Sequence, residues 1–242
     1  MRTYRLLLGA LVGVIELSGC GLVSDDTANV DLAALQKPFT IDAAAWNLNP
    51  TSAVVLMGRT CAPGAVPDPC TAQVIASSVC KLSLCTSACN PDTSQCQLTL
   101  RTELWRTINL ATDLPNLTPG SPDDDVLEVM LDDVTYEVPQ NSFNVSTAEL
   151  TVYLAPTSVT SPGGDGAMPI GSIRSIEPGS DSPRRSLDLH PNGKELVRRR
   201  LSEYQIPFNL ILGSELLLDA GAALPAGRID AIIGLEGRAG RS

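Results

Sequence analysis

A strict alternation of apolar and polar residues runs through Gln97–Leu110, whose sequence is QLTLRTELWRTINL. Leucine and isoleucine fall on one parity, while threonine, arginine and glutamate fall on the other. This period of two is typical of a half-buried antiparallel strand, because successive side chains point to opposite faces of a sheet. Trp105 and Arg106 break the pattern, and a bulge there would restore it. The stretch predicts a sheet with one face in a core.

Shorter segments with strand patterns lie on both sides of this stretch. They cover residues 38–41, 53–57, 127–131, 134–138, 150–154, 206–212, 215–218 and 228–235. The phase of the alternation slips at Asp132 and Asp133, which indicates a bulge or a tight turn. Many short strands separated by turn residues favour a mainly β fold, an antiparallel β-sandwich that is immunoglobulin-like or similar.

One helix is predicted in the body of the chain, from His190 to about Tyr204. Pro191 suits the first helical position, and an apolar stripe runs through Leu196, Val197 and Leu201. Arg198, Arg199 and Arg200 then lie on its exposed side. A shorter helix is expected at 71–78. Residues 157–185 are rich in proline, glycine and serine, which predicts a long, mobile loop.

The first 19 residues have the parts of an export signal. Arg2 and Arg5 form a positive start, and a run of apolar residues follows. That run is too short to cross a bilayer, which needs about 20 residues. The signal ends in Leu17-Ser18-Gly19-Cys20, where a bulky apolar residue and two small residues precede a cysteine. The expected organisation is a signal peptide at 1–19, a lipidated cysteine and tether at 20–30, and one domain at 31–242.

This tetrapeptide resembles the lipobox of bacterial lipoproteins. The resemblance implies that Cys20 is acylated, palmitate included, and becomes the first residue after cleavage. Two or more chains on one residue anchor a protein stably. Gly21 stands where an aspartate would retain such a protein at the inner membrane, which implies the outer membrane. Glu16 departs from the usual apolar run. The overall layout, with Tyr153–Pro156 closing a strand, resembles uncharacterised cell-envelope lipoproteins and implies no activity.

The other six cysteines all lie within 61–96, among several prolines. An even number in an exported chain points to three disulfide bonds, with the pairing open. Free thiols or a metal site are the alternatives, but a zinc site usually has Cys-x-x-Cys pairs or histidine ligands. The segment is therefore predicted to be a disulfide-stapled insertion without a metal. The candidate residues are Cys61, Cys70, Cys80, Cys85, Cys89 and Cys96.

Charge and composition exclude some partners. The formal net charge is −10, which argues against nucleic acid, because phosphate binding needs concentrated lysine and arginine. Aromatic residues make up only 4% of the chain, so stacked-aromatic carbohydrate sites are not expected. No motif for a cofactor is present.

Catalytic and metal-binding candidates are few. His190 is the only histidine, and no Gly-x-Ser-x-Gly motif accompanies it, so a serine hydrolase is not predicted. Five aspartates offer oxygen ligands for Ca²⁺, but they lack the spaced ligands and the glycine of an EF-hand loop, and consecutive aspartates in a turn are usually a solvated acidic cap on a strand. These calcium candidates are Asp123, Asp124, Asp125, Asp132 and Asp133.

The leading hypothesis is a membrane-anchored envelope lipoprotein that acts as a non-enzymatic binding or structural module. Its expected partners are the membrane, through the lipid, and envelope proteins. One alternative is a hydrolase with a carboxylate-based site, which requires a concave pocket where acidic residues with raised pKa values converge. A calcium-dependent adhesion module is the other alternative.

Overall fold

The computed structural model describes residues 30–115 and 128–240, which form eleven strands and four α-helical segments. Short 3-10 turns lie at Leu32–Ala34 and Ala43–Trp46. In chain order the elements are β1 (Val30–Asp31), β2 (Gln36–Asp42), α1 (Pro50–Met57), α2 (Pro69–Ala76), β3 (Cys85–Asn90), β4 (Gln95–Ile108), α3 (Leu110–Asp113), β5 (Glu128–Asn141), β6 (Leu150–Pro156), β7 (Met168–Ile173), β8 (Ser182–Ser186), β9 (Asp188–Leu189), α4 (Gly193–Ser202), β10 (Phe208–Leu218) and β11 (Arg228–Gly240).

Two antiparallel sheets enclose one hydrophobic core. In the first sheet the order is β1-β11-β5-β8, and β2 pairs with β11 beside β1. The order in the second sheet is β3-β4-β10-β6-β7-β9. The side chains that point inward from the strands of both sheets form a single buried cluster, which includes Phe39, Leu100 and Leu212. The predicted fold class, an antiparallel β-sandwich, is confirmed.

Strand β4 pairs with β10 without a break from Leu98–Leu218 to Ile108–Phe208, so the bulge predicted at Trp105 and Arg106 is wrong. The alternation of buried and exposed side chains stops towards the end of the strand, where Trp105 and Arg106 are both exposed. The Arg106 guanidinium lies 5.6 Å from the ring centroid of Phe39 in β2, so a cation covers the face of a buried aromatic ring at this position.

The predicted phase slip in β5 is confirmed as a bulge. Glu236 pairs with Asp133, but the next residue, Gly237, pairs with Leu131, so Asp132 is the extra residue. Gly237 has φ +147°, and a Cβ there would lie 2.2 Å from the Met130 carbonyl oxygen. The bulge therefore requires glycine opposite it.

Two segments fold differently from their sequence predictions. Residues 53–57 were expected to form a strand, but they belong to α1. The side chain of Asn49 accepts a hydrogen bond from the Ser52 amide, and Pro50 occupies the first turn. These helix-start signals outweigh the β-branched residues of the segment. The two predicted strands at 206–212 and 215–218 are one continuous strand, β10.

The described residues form four α-helical segments, two more than the two predicted helices. Helix α2 confirms the prediction at 71–78. The predicted helix at 190–204 exists as α4, but it begins at Gly193 rather than beside Pro191. A Cβ at Gly193 would lie 1.9 Å from the Ile170 carbonyl oxygen, so the start of α4 packs directly on the backbone of β7. Val197, Leu201 and Tyr204 are buried, as the apolar stripe predicts.

The predicted long loop at 157–185 contains the strands β7 and β8, so this prediction is wrong. Buried asparagine side chains hold its connections. The Asn209 amide is 0% exposed; it donates to the carbonyls of Thr157 (3.1 Å) and Val159 (2.8 Å) and accepts from the Thr107 hydroxyl (2.8 Å). Asn141 similarly donates to the carbonyls of Glu177 and Ser180. Proline and glycine in this stretch mark turns between strands, not an absence of structure.

We expect Asn209→Ala to lower the free energy of unfolding by about 2–3 kcal/mol, because it removes the three hydrogen bonds that this buried side chain makes to two carbonyls and a hydroxyl. Chemical denaturation under non-reducing conditions measures the change. Asn192→Ala is the matched control, since Asn192 makes no side-chain capping bond. Equal stability of the two variants would contradict the structural role of Asn209.

Candidate functional site

The cysteine-rich segment, Cys61–Cys96, begins with a capped helix. Asp68 precedes α2, and its Oδ1 accepts a hydrogen bond from the Cys70 amide at 2.7 Å. Pro69 occupies the first turn of the helix. The other carboxylate oxygen of Asp68 accepts a hydrogen bond from the Cys89 amide in β3 at 3.0 Å. One carboxylate therefore starts the helix and ties it to the edge strand of the second sheet.

All six cysteines of the segment form disulfide bonds, as predicted, and the structure gives the pairing. Cys61–Cys89 and Cys70–Cys96 close loops with sequence separations of 28 and 26, and Cys80–Cys85 closes one of 5. The first two join the entry of the segment and α2 to the β3–β4 hairpin. Each such bond typically contributes about 2–4 kcal/mol by restricting the unfolded chain. The bonds thus hold a segment that has few apolar side chains to bury.

Hydrogen bonding to Asp68 changes its acidity. Burial raises the pKa of this carboxyl, but bonds from the backbone amides of Cys89, Cys70 and Thr71 outweigh that effect and hold the pKa below its ordinary value of 3.8. The folded state therefore favours the charged form. Its contribution to stability is present above the unfolded value and is lost as the pH falls through the lowered folded value.

The segment lies at the end of the sandwich opposite Val30. Val30 pairs with Ala239, and β2 then follows β11 as far as the pairing of Asp42 with Arg228. The turn that follows Asp42 contacts the cysteine-rich segment, where the Lys81 amide donates a hydrogen bond to the Trp46 carbonyl at 2.8 Å. We call the end at Val30 the proximal end and the end with the disulfides the distal end.

The distal end has exposed apolar side chains and an open groove. Val66 is 95% exposed, and four further apolar residues of α1, α2 and the following loop are also exposed: Val54, Val55, Ile75 and Leu82. The groove has a volume of about 580 Å³ and lies between the turn after β2, the start of α1 and residues 224–228. Asp42, Asn47, Ser142 and Arg228 supply its polar groups. Apolar contacts with a few polar groups are typical of protein-binding surfaces.

A second cleft, of about 530 Å³, lies on the outer face of the second sheet. Gly213 of β10 forms its floor between Glu103 of β4 and Thr151 of β6. A Cβ at Gly213 would lie 2.4 Å from Pro162 Cγ, so glycine allows the 157–167 connection to cover one side. We call it the acidic cleft, because its lining includes Glu103, Glu149 and Glu215.

The sequence analysis did not single out these three glutamates. Arg101 pairs with Glu215 at 3.2 Å, which leaves Glu103 and Glu149 without an ion pair among the described residues. Glu103 lies on the polar parity of β4, as Arg101 does, and this alternation is the sequence feature that could have indicated Glu103 as an outward-facing residue. The other two glutamates reach the cleft only through the pairing of β10 with β4 and β6.

The structure does not bring the other sequence candidates together. His190 is exposed before α4. Asp133 accepts hydrogen bonds from the Val134 amide and the Ser186 hydroxyl, while Lys194 Nζ donates to the Asp132 carbonyl at 2.9 Å. Cys20 and the remaining calcium candidates, Asp123, Asp124 and Asp125, lie outside the described residues.

The arginines of α4 form local ion pairs with glutamates. Arg198 pairs with Glu195 at 2.7 Å, and Arg200 pairs with Glu203 at 2.8 Å. The hydrogen bond from Arg198 holds the pKa of Glu195 below its ordinary value. Two of the three consecutive arginines are thus engaged in ion pairs with glutamates three residues away in the chain.

One group of three metal-ligating side chains occurs among residues 30–115 and 128–240, and it consists of Cys61, Cys70 and Cys96. All three sulfurs are in disulfide bonds and are therefore not thiolate ligands. No helix of the described part is long and apolar enough to cross a membrane. The sequence matches no protein-family model and no curated protein.

We expect Asp68→Asn to lower the free energy of unfolding by about 1–2 kcal/mol at pH 6, because an amide has only one acceptor oxygen for the Cys70 and Cys89 amides. The loss should shrink at pH 3, below the ordinary pKa of 3.8, because the stability that the charged form provides declines as the pH falls towards the lowered pKa of the folded state. Urea denaturation at the two pH values measures it. Asp92→Asn, in the β3–β4 turn, is the control. A difference from wild type that does not change with pH would contradict the charged role of Asp68.

Proposed function

We propose that the chain is a lipid-anchored lipoprotein of the bacterial cell envelope, and that its β-sandwich is a non-enzymatic binding or structural module. The observation that carries the proposal is the position of the disulfide-stapled segment at the distal end. A chain tethered through Cys20 at the other end would present this segment away from the membrane. The lipobox at Leu17–Cys20 supports the anchor.

The length of the tether sets how far the module stands from the bilayer. Residues 21–29 separate Cys20 from Val30, and an extended chain spans about 3.4 Å per residue. The proximal end would thus lie within about 30 Å of the membrane surface. The distal end would lie beyond it, within reach of proteins in the envelope. Gly21 supports an outer-membrane position.

Rigidity and surface chemistry support binding at the distal end. The disulfides Cys61–Cys89 and Cys70–Cys96 fix α2 on the hairpin, so ordering the segment would cost little on association. The segment contains only three charged residues, Asp68, Lys81 and Asp92. The core of a protein interface is depleted in charge. The partner that fits is therefore an envelope protein with an apolar surface, and the chain's net charge of −10 argues against nucleic acid.

Intact mass spectrometry of the protein purified from its membrane fraction tests the anchor. We expect a mass that lacks residues 1–19 and includes acyl groups, with six thiols appearing only after reduction. Cys20→Ala should carry no acyl groups and should leave the membrane fraction. A full-length, unacylated chain with free thiols would overturn the proposal.

One observation favours a second candidate, a hydrolase with a carboxylate-based site. Glu103, Glu149 and Glu215 line one concave cleft, which meets the requirement that the acidic residues of such an enzyme share a pocket. The purified protein should then turn over glycosidic or ester substrates, and Glu103→Gln should reduce kcat by about a hundredfold or more. Glu128→Gln, at the start of β5, is the control. Absence of turnover across a broad substrate panel, or turnover unchanged in Glu103→Gln, would reject this candidate.

A further inference from the structure

A third opening, of about 340 Å³, lies where the edge of the first sheet meets the edge of the second. β8 is the edge strand of the first sheet, β9 is the edge strand of the second, and only Leu187 separates them in the chain. Leu187 is buried, and its amide donates to the Val134 carbonyl at 2.7 Å. We call this opening the seam cleft. Its lining residues are Tyr136, Ser172, Arg174, Arg185, Ser186, Leu187 and Asp188.

Two guanidinium groups border the seam cleft. Arg185 of β8 is paired with Tyr136 of β5 across the sheet, and its guanidinium makes no hydrogen bond or ion pair with another described residue. Arg174 follows β7 and contacts Asp188 at 3.3 Å, but these side chains are 84% and 61% exposed. An ion pair that exposed is weak. Arg185 therefore has all its donors available, and Arg174 can exchange Asp188 for another anion.

A serine hydroxyl also lines the same cleft. Ser172 is 8% exposed as a residue, and its hydroxyl makes no hydrogen bond with another described residue. The hydroxyl is therefore available to donate to a ligand oxygen in the cleft. The Ser186 hydroxyl, in contrast, is already donated to the Asp133 carboxylate.

We propose that the seam cleft binds a phosphate group, with Arg174 and Arg185 as charged donors and Ser172 as a neutral donor. The planar guanidinium fork matches two oxygens of a phosphate, and such charge-assisted bonds are strong. Asp188 is the one carboxylate that lines the cleft, and it already faces Arg174. The phosphate belongs to a free phosphate compound or to a phospholipid headgroup.

Thermal unfolding of the full chain in a neutral detergent tests the proposal. The probes are inorganic phosphate, glycerol 3-phosphate and glycerophosphoglycerol, each compared with chloride at the same ionic strength. A ligand that binds only the folded state raises the unfolding midpoint in a concentration-dependent way. We expect Arg185→Gln and Arg174→Gln each to weaken the apparent affinity by about tenfold, and Ser172→Ala by about threefold. Arg199→Gln is the matched control, because Arg199 is an exposed arginine of α4 that does not line the cleft.

Each result has a definite meaning. A rise with inorganic phosphate or glycerol 3-phosphate that is lost in Arg185→Gln supports a free phosphate compound. A rise only with glycerophosphoglycerol, the phosphodiester headgroup without its lipid chains, supports a phospholipid. No rise with any probe, or an equal rise in Arg185→Gln and Arg199→Gln, overturns the proposal. The same titration of Cys20→Ala separates this inference from the lipid anchor, because the cleft does not involve residue 20.

Discussion

The unbroken pairing of β4 with β10 is the constraint on which the rest of the structure depends. It runs from Leu98–Leu218 to Ile108–Phe208, and it fixes which parity of each strand faces the core. A slip of one residue would place Leu98 and Leu100 in solvent. The same register also puts Gly213 opposite Glu103 on the outer face, so the acidic cleft follows from the pairing that builds the core.

Buried polar side chains determine how the connections return to the sheets. Asn209 and Asn141 satisfy backbone carbonyls that would otherwise be unpaired against the sandwich, and this gives the proline- and glycine-rich stretch a fixed course. At Leu187 the chain passes from the first sheet to the second, and the hydrogen bond from the Leu187 amide to the Val134 carbonyl fixes this connection. Because the course is fixed, the seam cleft keeps Arg174, Arg185 and Ser172 around one opening.

Covalent bonds take the place of hydrophobic burial at the distal end. The cysteine-rich segment contributes a few buried residues, such as Val74 and Val79, but much of its surface is open to solvent. Its disulfides and the Asp68 carboxylate hold it on the β3–β4 hairpin. This arrangement leaves apolar side chains free for contact with a partner, which suits the proposed role as a binding module.

The sequence by itself determined the fold class, the main strands and the oxidation of six cysteines, because strand periodicity and cysteine number are local or compositional signals. It failed at residues 53–57, where helix capping at Asn49 outweighed β-branched residues, and at 157–185, where Asn209 and Asn141 act over long sequence distances. Only the tertiary structure decided the disulfide pairing and the three clefts. Glu103, Glu149 and Glu215 are far apart in the chain, and so are Ser172 and Arg185. Strand pairing brings them together, and pairing between distant segments leaves no pattern in a single sequence.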